Sequence, residues 1–173
     1  LYDNPDNIFV AGFIGTPPMT LFHAGLTIDD EGGRLKVGPQ EIWLPREVLD
    51  ARPGLRAHNG QEVVAGVRAE DIHHEGREGY SALGASVVLA EALGSSVHVT
   101  FALEGVPVDE ARLGSGLAKE AEAEVGRLSH TSDIQGTAVF PPRMHFRPDD
   151  AITIHVDPYR MHFFEPESGR ALR

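Results

Sequence analysis

Nine histidines, with no cysteine to accompany them, raise metal binding first. Zinc takes imidazole nitrogen readily, but it needs several ligands brought to one point. His73 and His74 are adjacent, so in extended chain their rings diverge. His145, His155 and His162 lie near the end of the sequence and could converge there. None stands in HxxxH or HxH spacing, and no carboxylate pattern accompanies them, so the reading is no native metal site. Tyr159, Arg160 and His162 could line a small oxyanion pocket. The overall charge of −11 works against that. Arg68 and Glu70, two apart at the end of an apolar run, could tie neighbouring loops together through charge-assisted hydrogen bonds. The run Leu113-Gly114-Ser115-Gly116-Leu117 has the glycines of a phosphate loop but not its lysine. Without GxxxxGK[ST] there are no ordered amides and no cation for a triphosphate. There is no GxSxG and no cysteine nucleophile, and no acid/base pair can be defended.

The elements that must position these groups are mostly strands. Val97, Val99 and Phe101 alternate with His98 and Thr100, which marks a strand with one wet face. Ala151 to Val156 alternates as cleanly. Further strands are expected at 19–28, 34–37, 41–44, 61–68, 85–93, 95–103, 135–140 and 161–164. Residues 72–83 read as loop, and Trp43 as core. A helical turn is expected over 45–51. Leu113, Leu117, Ala121 and Val125 recur every four residues, which suggests a short helix inserted within 104–133.

The start of the chain differs in kind. In YDNPDNIFVAGFIGTPPM, Asn4 can cap a helix whose first position is Pro5. Gly15, Thr16, Pro17 and Pro18 stop it. Its apolar residues lie on more than one side, so both flanks need partners. The chain begins at Leu1, read as a cut point with part of the helix's partner surface lying upstream.

Composition limits the partners. An acidic chain repels phosphate backbones and anionic membranes, which argues against nucleic acid. No run approaches the roughly 20 apolar residues that span a bilayer.

Leu1, Tyr2, Pro5, the run Phe9-Val10-Ala11-Gly12-Phe13-Ile14-Gly15 and Pro18-Met19 together resemble a family signature. It is the junction in ATP-binding subunits of carbohydrate ABC importers of the maltose-transporter type, where an ATPase domain hands over to a C-terminal regulatory domain. Gly66, Val67, Arg68 and Glu70 fit the family's Gly-Ile/Val-Arg-Pro-Glu, with Ala69 in place of its proline. Leu93-Gly94 matches a recurring pair, and Asp157, Pro158, Arg160 and His162 follow the family's closing pattern. The resemblance implies an OB-like barrel of the MOP/TOBE kind, with extra strands, spanning 19–173. Residues 1–18 would then be terminal helix and linker from the ATPase domain. It implies a non-catalytic regulatory and dimerisation module, cytoplasmic and held at the inner face of the membrane through the transporter. ATP and magnesium would be bound only in the ATPase domain. The implied partners are a second copy, the ATPase domain, permease subunits and a regulatory protein. Phe9, Gly12, Phe13, Gly15, Arg68, Glu70, Leu93, Gly94, Asp157, Pro158, Arg160 and His162 carry the family pattern. The reading kept beside it is a small barrel that senses a sugar or an oxyanion, as molybdate-type relatives do.

Overall fold

A computed structural model describes residues 1–109 and 133–173, and most of the expected 104–133 insertion lies outside them. The described residues form a mostly β, OB-like barrel of eleven strands in two antiparallel sheets. The first sheet holds β1 (Thr20–Ile28), β2 (Gly32–Val37), β3 (Gln40–Pro45), β4 (Glu62–Val67), β8 (Val106–Pro107) and β11 (His162–Phe164). Its order is β11-β4-β1-β2-β3, with β8 also on β1. The second holds β5 (Ile72–His73), β6 (Ser81–Ala92), β7 (Val97–Leu103), β9 (Ile134–Phe140) and β10 (Ala151–Val156), in the order β5-β10-β6-β7-β9.

Alternation builds the core. Along β7, Val97, Val99, Phe101 and Leu103 point inward, and β9 repeats the pattern with Ile134, Ala138 and Phe140. They meet Phe22, Leu26, Leu35, Ile42 and Phe163 from the first sheet in one apolar cluster. Side chains stitch one seam between the sheets. Gln40 on β3 donates to the Gly84 carbonyl of β6 at 3.0 Å and accepts from the Gly84 amide at 2.7 Å. A primary amide there stands in for a backbone peptide at a sheet edge, satisfying groups that would otherwise be open to another strand.

The structure corrects three expectations. Trp43 is half-buried, not core: Ile42 and Leu44 point inward on β3, so period two sends Trp43 outward, where Arg34 lies 5.1 Å from its ring centroid. Residues 72–83 are not all loop, since β5 pairs with β10 and β6 already begins at Ser81. The N-terminal helix starts later than its sequence signals suggest. Helix α1 is Ile8–Phe13, capped by Asn7, whose side chain accepts from the Val10 amide at 2.9 Å. A second short helix, α2, is Arg46–Asp50, within the expected 45–51.

β4 is buried on both faces, and this positions everything that follows. Val63, Ala65 and Val67 face the barrel core. Val64 faces the other way, into a second apolar cluster with Ile8 and Ala11 of α1, Met19, Leu21, Val108 and Phe164. Gly66 leaves the space that Met19 fills: a Cβ there would sit 2.4 Å from the Met19 sulfur. The helix is therefore docked on the outer face of the first sheet.

Candidate functional site

Residues 2–14 form a strap across the end of β4. Arg68, the residue after β4, holds it from beneath and is only 4% exposed. Its Nη1 donates to the Ile14 carbonyl at 3.1 Å, and its Nη2 donates to the Tyr2 carbonyl. The guanidinium also lies 3.8 Å from the Tyr2 ring centroid. The Tyr2 hydroxyl donates to Glu70 Oε1 at 3.1 Å. Gly15 makes the closing turn at φ +124°, a conformation open to glycine, and a Cβ there would crowd Arg68 Nη1 at 3.3 Å.

The C-terminal segment zips onto the same strap. The Ile8 amide donates to the Gly169 carbonyl at 2.9 Å, and the Ala171 amide to the Asp6 carbonyl at 3.0 Å. Arg173 donates to the Asn4 carbonyl at 3.2 Å and to Asp6 Oδ1 at 2.6 Å. These contacts tie residues 4–6, which run as bends outside any helix, to the C-terminal segment, which is why Asn4 and Pro5 do not start the helix. On α1, Ile8 and Ala11 face inward. Phe9 and Phe13 stack with ring centroids 5.8 Å apart on the outer side, 49% and 58% exposed. Gly12 lies between them on the same short helix.

Behind the strap lies a cleft of about 500 Å³. Arg52, Arg68, Arg160 and His162 line it from the barrel side, and Asp3 and Pro5 from the strap. Arg52 Nη2 donates to the Tyr159 and Met161 carbonyls, both at 3.1 Å, and its guanidinium lies 5.7 Å from the Phe163 ring centroid. Burial pulls Arg52 below its ordinary range. Arg160 Nε donates to Asp71 Oδ1 at 3.2 Å; burial pushes the Asp71 carboxyl up, and Arg160 pulls against it. Asp157 accepts from the Tyr159 amide at 2.9 Å, capping a single 3-10 turn, Pro158–Arg160, that aims Arg160.

His162 is held down to about 4, first by burial and then by Arg68, Arg52 and Arg160. It is therefore neutral in the fold near pH 7 and protonates at its ordinary value near 6.5 when the chain unfolds. The unfolded state takes the extra proton between those values, so the stability His162 contributes is fully present above pH 6.5 and is lost as pH falls toward 4. The full gap converts to about 3 kcal/mol, which solvent screening of a partly exposed ring reduces to about 2. Urea melts from pH 7.5 to 4 read this slope, and His162→Gln flattens it by that amount; an unchanged slope in the variant refutes the assignment.

The structure gathers Arg68, Arg160 and His162 on the cleft, with Glu70 on its rim and Asp157 and Pro158 in support. Tyr159 lines it too. It places Leu93 and Gly94 elsewhere, on the β6–β7 turn of the second sheet. The histidines do not converge: His73 and His155 are cross-strand partners on β5 and β10, while His162 sits in the other sheet. No group of three metal-ligating side chains occurs among the described residues. Arg52, Asp71 and Arg173 escaped the sequence reading. Each acts on a partner distant in the chain, which no local pattern announces.

No protein-family model matches the chain. Among curated proteins it is 28% identical to the oligosaccharides import ATP-binding protein MsmX of Bacillus subtilis, over 100% of this chain and 40% of MsmX. It is 32% identical to the trehalose import ATP-binding protein SugC of Mycobacterium tuberculosis, over 99% of this chain and 42% of SugC. It is 32% identical to the trehalose/maltose import ATP-binding protein MalK of Thermococcus litoralis, over 81% of this chain and 39% of that protein. The chain thus spans about two fifths of the length of these relatives.

Proposed function

We propose a role for a chain that is homologous, over its whole length, to the sugar-import ATP-binding proteins of ABC transporters: it is their C-terminal regulatory and dimerisation domain, without catalysis of its own. One observation carries this reading. The chain matches MsmX and SugC end to end, yet covers only about 40% of each, and that share folds as a β-barrel with no phosphate-binding glycine loop in its sequence. On this reading the rest of the subunit binds and hydrolyses ATP with magnesium and drives uptake of a sugar or sugar derivative. The stacked Phe9–Phe13 face of α1 packs on that ATPase domain, which supplies the second flank the helix requires. Permease subunits hold the assembly at the cytoplasmic face of the membrane; no helix among the described residues is long and apolar enough to cross it.

A standing contact between two such barrels keeps two ATPase halves at high effective concentration, so their closure becomes an intramolecular step. A regulatory protein that docks on the barrel can then bias that step. Sedimentation velocity from about 10 μM to about 1 mM tests the pairing. The expected result is a concentration-dependent shift to dimer, with no ATP binding in a parallel titration. A monomer throughout removes the dimerisation reading, and tight ATP binding removes the non-catalytic one.

A further inference from the structure

The chain holds three asparagines, and the residue that follows each sets its chemistry. The amide carbon of an asparagine is open to attack by the backbone nitrogen of the next residue. Asn4 precedes Pro5, which has no N–H to lose. Asn7 precedes Ile8, whose branched side chain shields the approach, and its own side chain caps α1. Asn59 precedes Gly60, which shields nothing. Gly60 sits at φ +77°, in the left-handed region, and a Cβ there would meet no atom within 4 Å. Both residues are exposed, so water reaches them. Asn59 is therefore the asparagine chemically readiest to lose its amide.

Its partners hold it back. Asn59 follows a 3-10 turn, Pro53–His58, and leads into β4. The Gly60 amide donates to the Leu26 carbonyl at 2.8 Å, and the Leu26 amide donates to the Gln61 carbonyl at 2.9 Å. These bonds carry the β1–β4 ladder beyond its last strand pair, Gly25 and Glu62. The Asn59 side chain supplies the next rung. Its Oδ1 accepts from the Ile28 amide at 2.8 Å, and its Nδ2 donates to the Ile28 carbonyl at 3.2 Å. The carbon to be attacked is thus tied to Ile28, and the attacking nitrogen to Leu26. Closing a ring between them requires both sets of bonds to break.

We propose that Asn59 is a latent deamidation site, kept intact by its rung on Ile28 and by the Gly60–Leu26 bond, and converted only when this end of the ladder opens. In the open state the Gly60 nitrogen gives its proton to water and forms a bond to Asn59 Cγ. The Cγ–Nδ2 bond breaks, and Nδ2 takes up a proton and leaves as ammonia. The five-membered succinimide then adds water at one of its two carbonyls, giving aspartate or isoaspartate. No oxidant or reductant takes part. Neither product rebuilds the rung. Aspartate has no N–H for the Ile28 carbonyl and sets a carboxylate oxygen against it. Isoaspartate adds a methylene to the backbone and shifts Gly60 away from Leu26. Either change loosens the entry to β4, the strand whose outer face carries α1. The conversion marks chains that have spent time open and makes reopening easier.

The test is incubation of the full chain at mildly alkaline pH, in buffer and in unfolding urea, with tryptic peptides weighed at intervals. Trypsin releases residues 57–68, which carry Asn59, apart from the peptide that carries Asn4 and Asn7. In urea the 57–68 peptide accumulates aspartate and isoaspartate before the other peptide changes. In buffer the conversion is slower by at least about ten-fold, because it waits on opening. Leu55→Ala removes a fully buried anchor of the turn before Asn59. It speeds the conversion in buffer by at least about three-fold and leaves the urea rate unchanged. Asn59→Asp, which copies one product, lowers the urea midpoint and speeds amide exchange at Ile28 and Gly60. Should Leu55→Ala not fold, the comparison of buffer with urea in the unaltered chain decides the matter. Equal rates in buffer and urea, or earlier conversion at Asn7 in urea, overturn the proposal. So does an Asn59→Asp chain with the midpoint and the Ile28 exchange of the unaltered protein.

Discussion

Phe164→Ala lowers stability by about 3–5 kcal/mol and frees α1 from the barrel. Phe164 is completely buried on β11, beside Val64 of β4. It belongs to the small cluster that α1 covers, with Ile8, Ala11, Met19, Leu21 and Val108. A cluster of seven buried residues has little capacity to close around a missing ring, so the cavity persists. Its neighbour Phe163 points into the main core, because successive strand residues face opposite sides. The two truncations therefore separate. Both lower the urea midpoint, but only Phe164→Ala accelerates amide exchange at Ala11 and Ile14, whose hydrogen bonds hold the helix to Asn7 and Val10. A loss below about 1.5 kcal/mol, or equal exchange in both variants, contradicts a helix docked through this cluster.

The strands were readable because their burial is one-sided and so alternates along the chain. β10 lies at the residues the alternation of AITIHV marks, and β7 buries every second residue as Val97, Val99 and Phe101 require. Trp43 shows where the reading weighed the wrong term. Its bulk suggested core, yet Ile42 and Leu44 already occupied the inward positions, and register outranks size on a strand. The helix start failed for another reason. Asn4-Pro5 and Asn7 are equally good local start signals, and what separates them is Arg173 and Ala171 holding residues 4–6 out of helical form from the far end of the chain. The cleft was half legible. Arg68, Arg160 and His162 stood out by their resemblance to a family pattern. Arg52 did not, because a guanidinium after a helical turn is ordinary in sequence and unusual only once its carbonyl partners, more than a hundred residues away, are in place.

Arg68→Ala opens the strap, at a cost of about 2–3 kcal/mol. Two charge-assisted hydrogen bonds and a close ring contact are lost together, worth about 1.5–3 kcal/mol for each such bond. Removing a buried charge that lacks a carboxylate partner returns part of that, which keeps the net figure below the sum. Arg68→Lys recovers little. An ammonium on a flexible stem is a point donor, and it cannot reproduce the fork that reaches Tyr2 and Ile14 at once. Opening is local, so chymotryptic cleavage at Phe9 and Phe13 reports it directly, with each 1.4 kcal/mol giving about ten-fold in rate when opening is fast. A second readout separates loss of the charge from simple loosening. His162 is held down by burial first and Arg68 second, so in Arg68→Ala it titrates above its value of about 4. In Arg68→Lys the strap loosens while a cation remains, and His162 stays closer to that value. Unchanged cleavage in both variants would leave Arg68 as a bystander to the junction, and a His162 that titrates identically in all three proteins would place it outside the reach of that guanidinium.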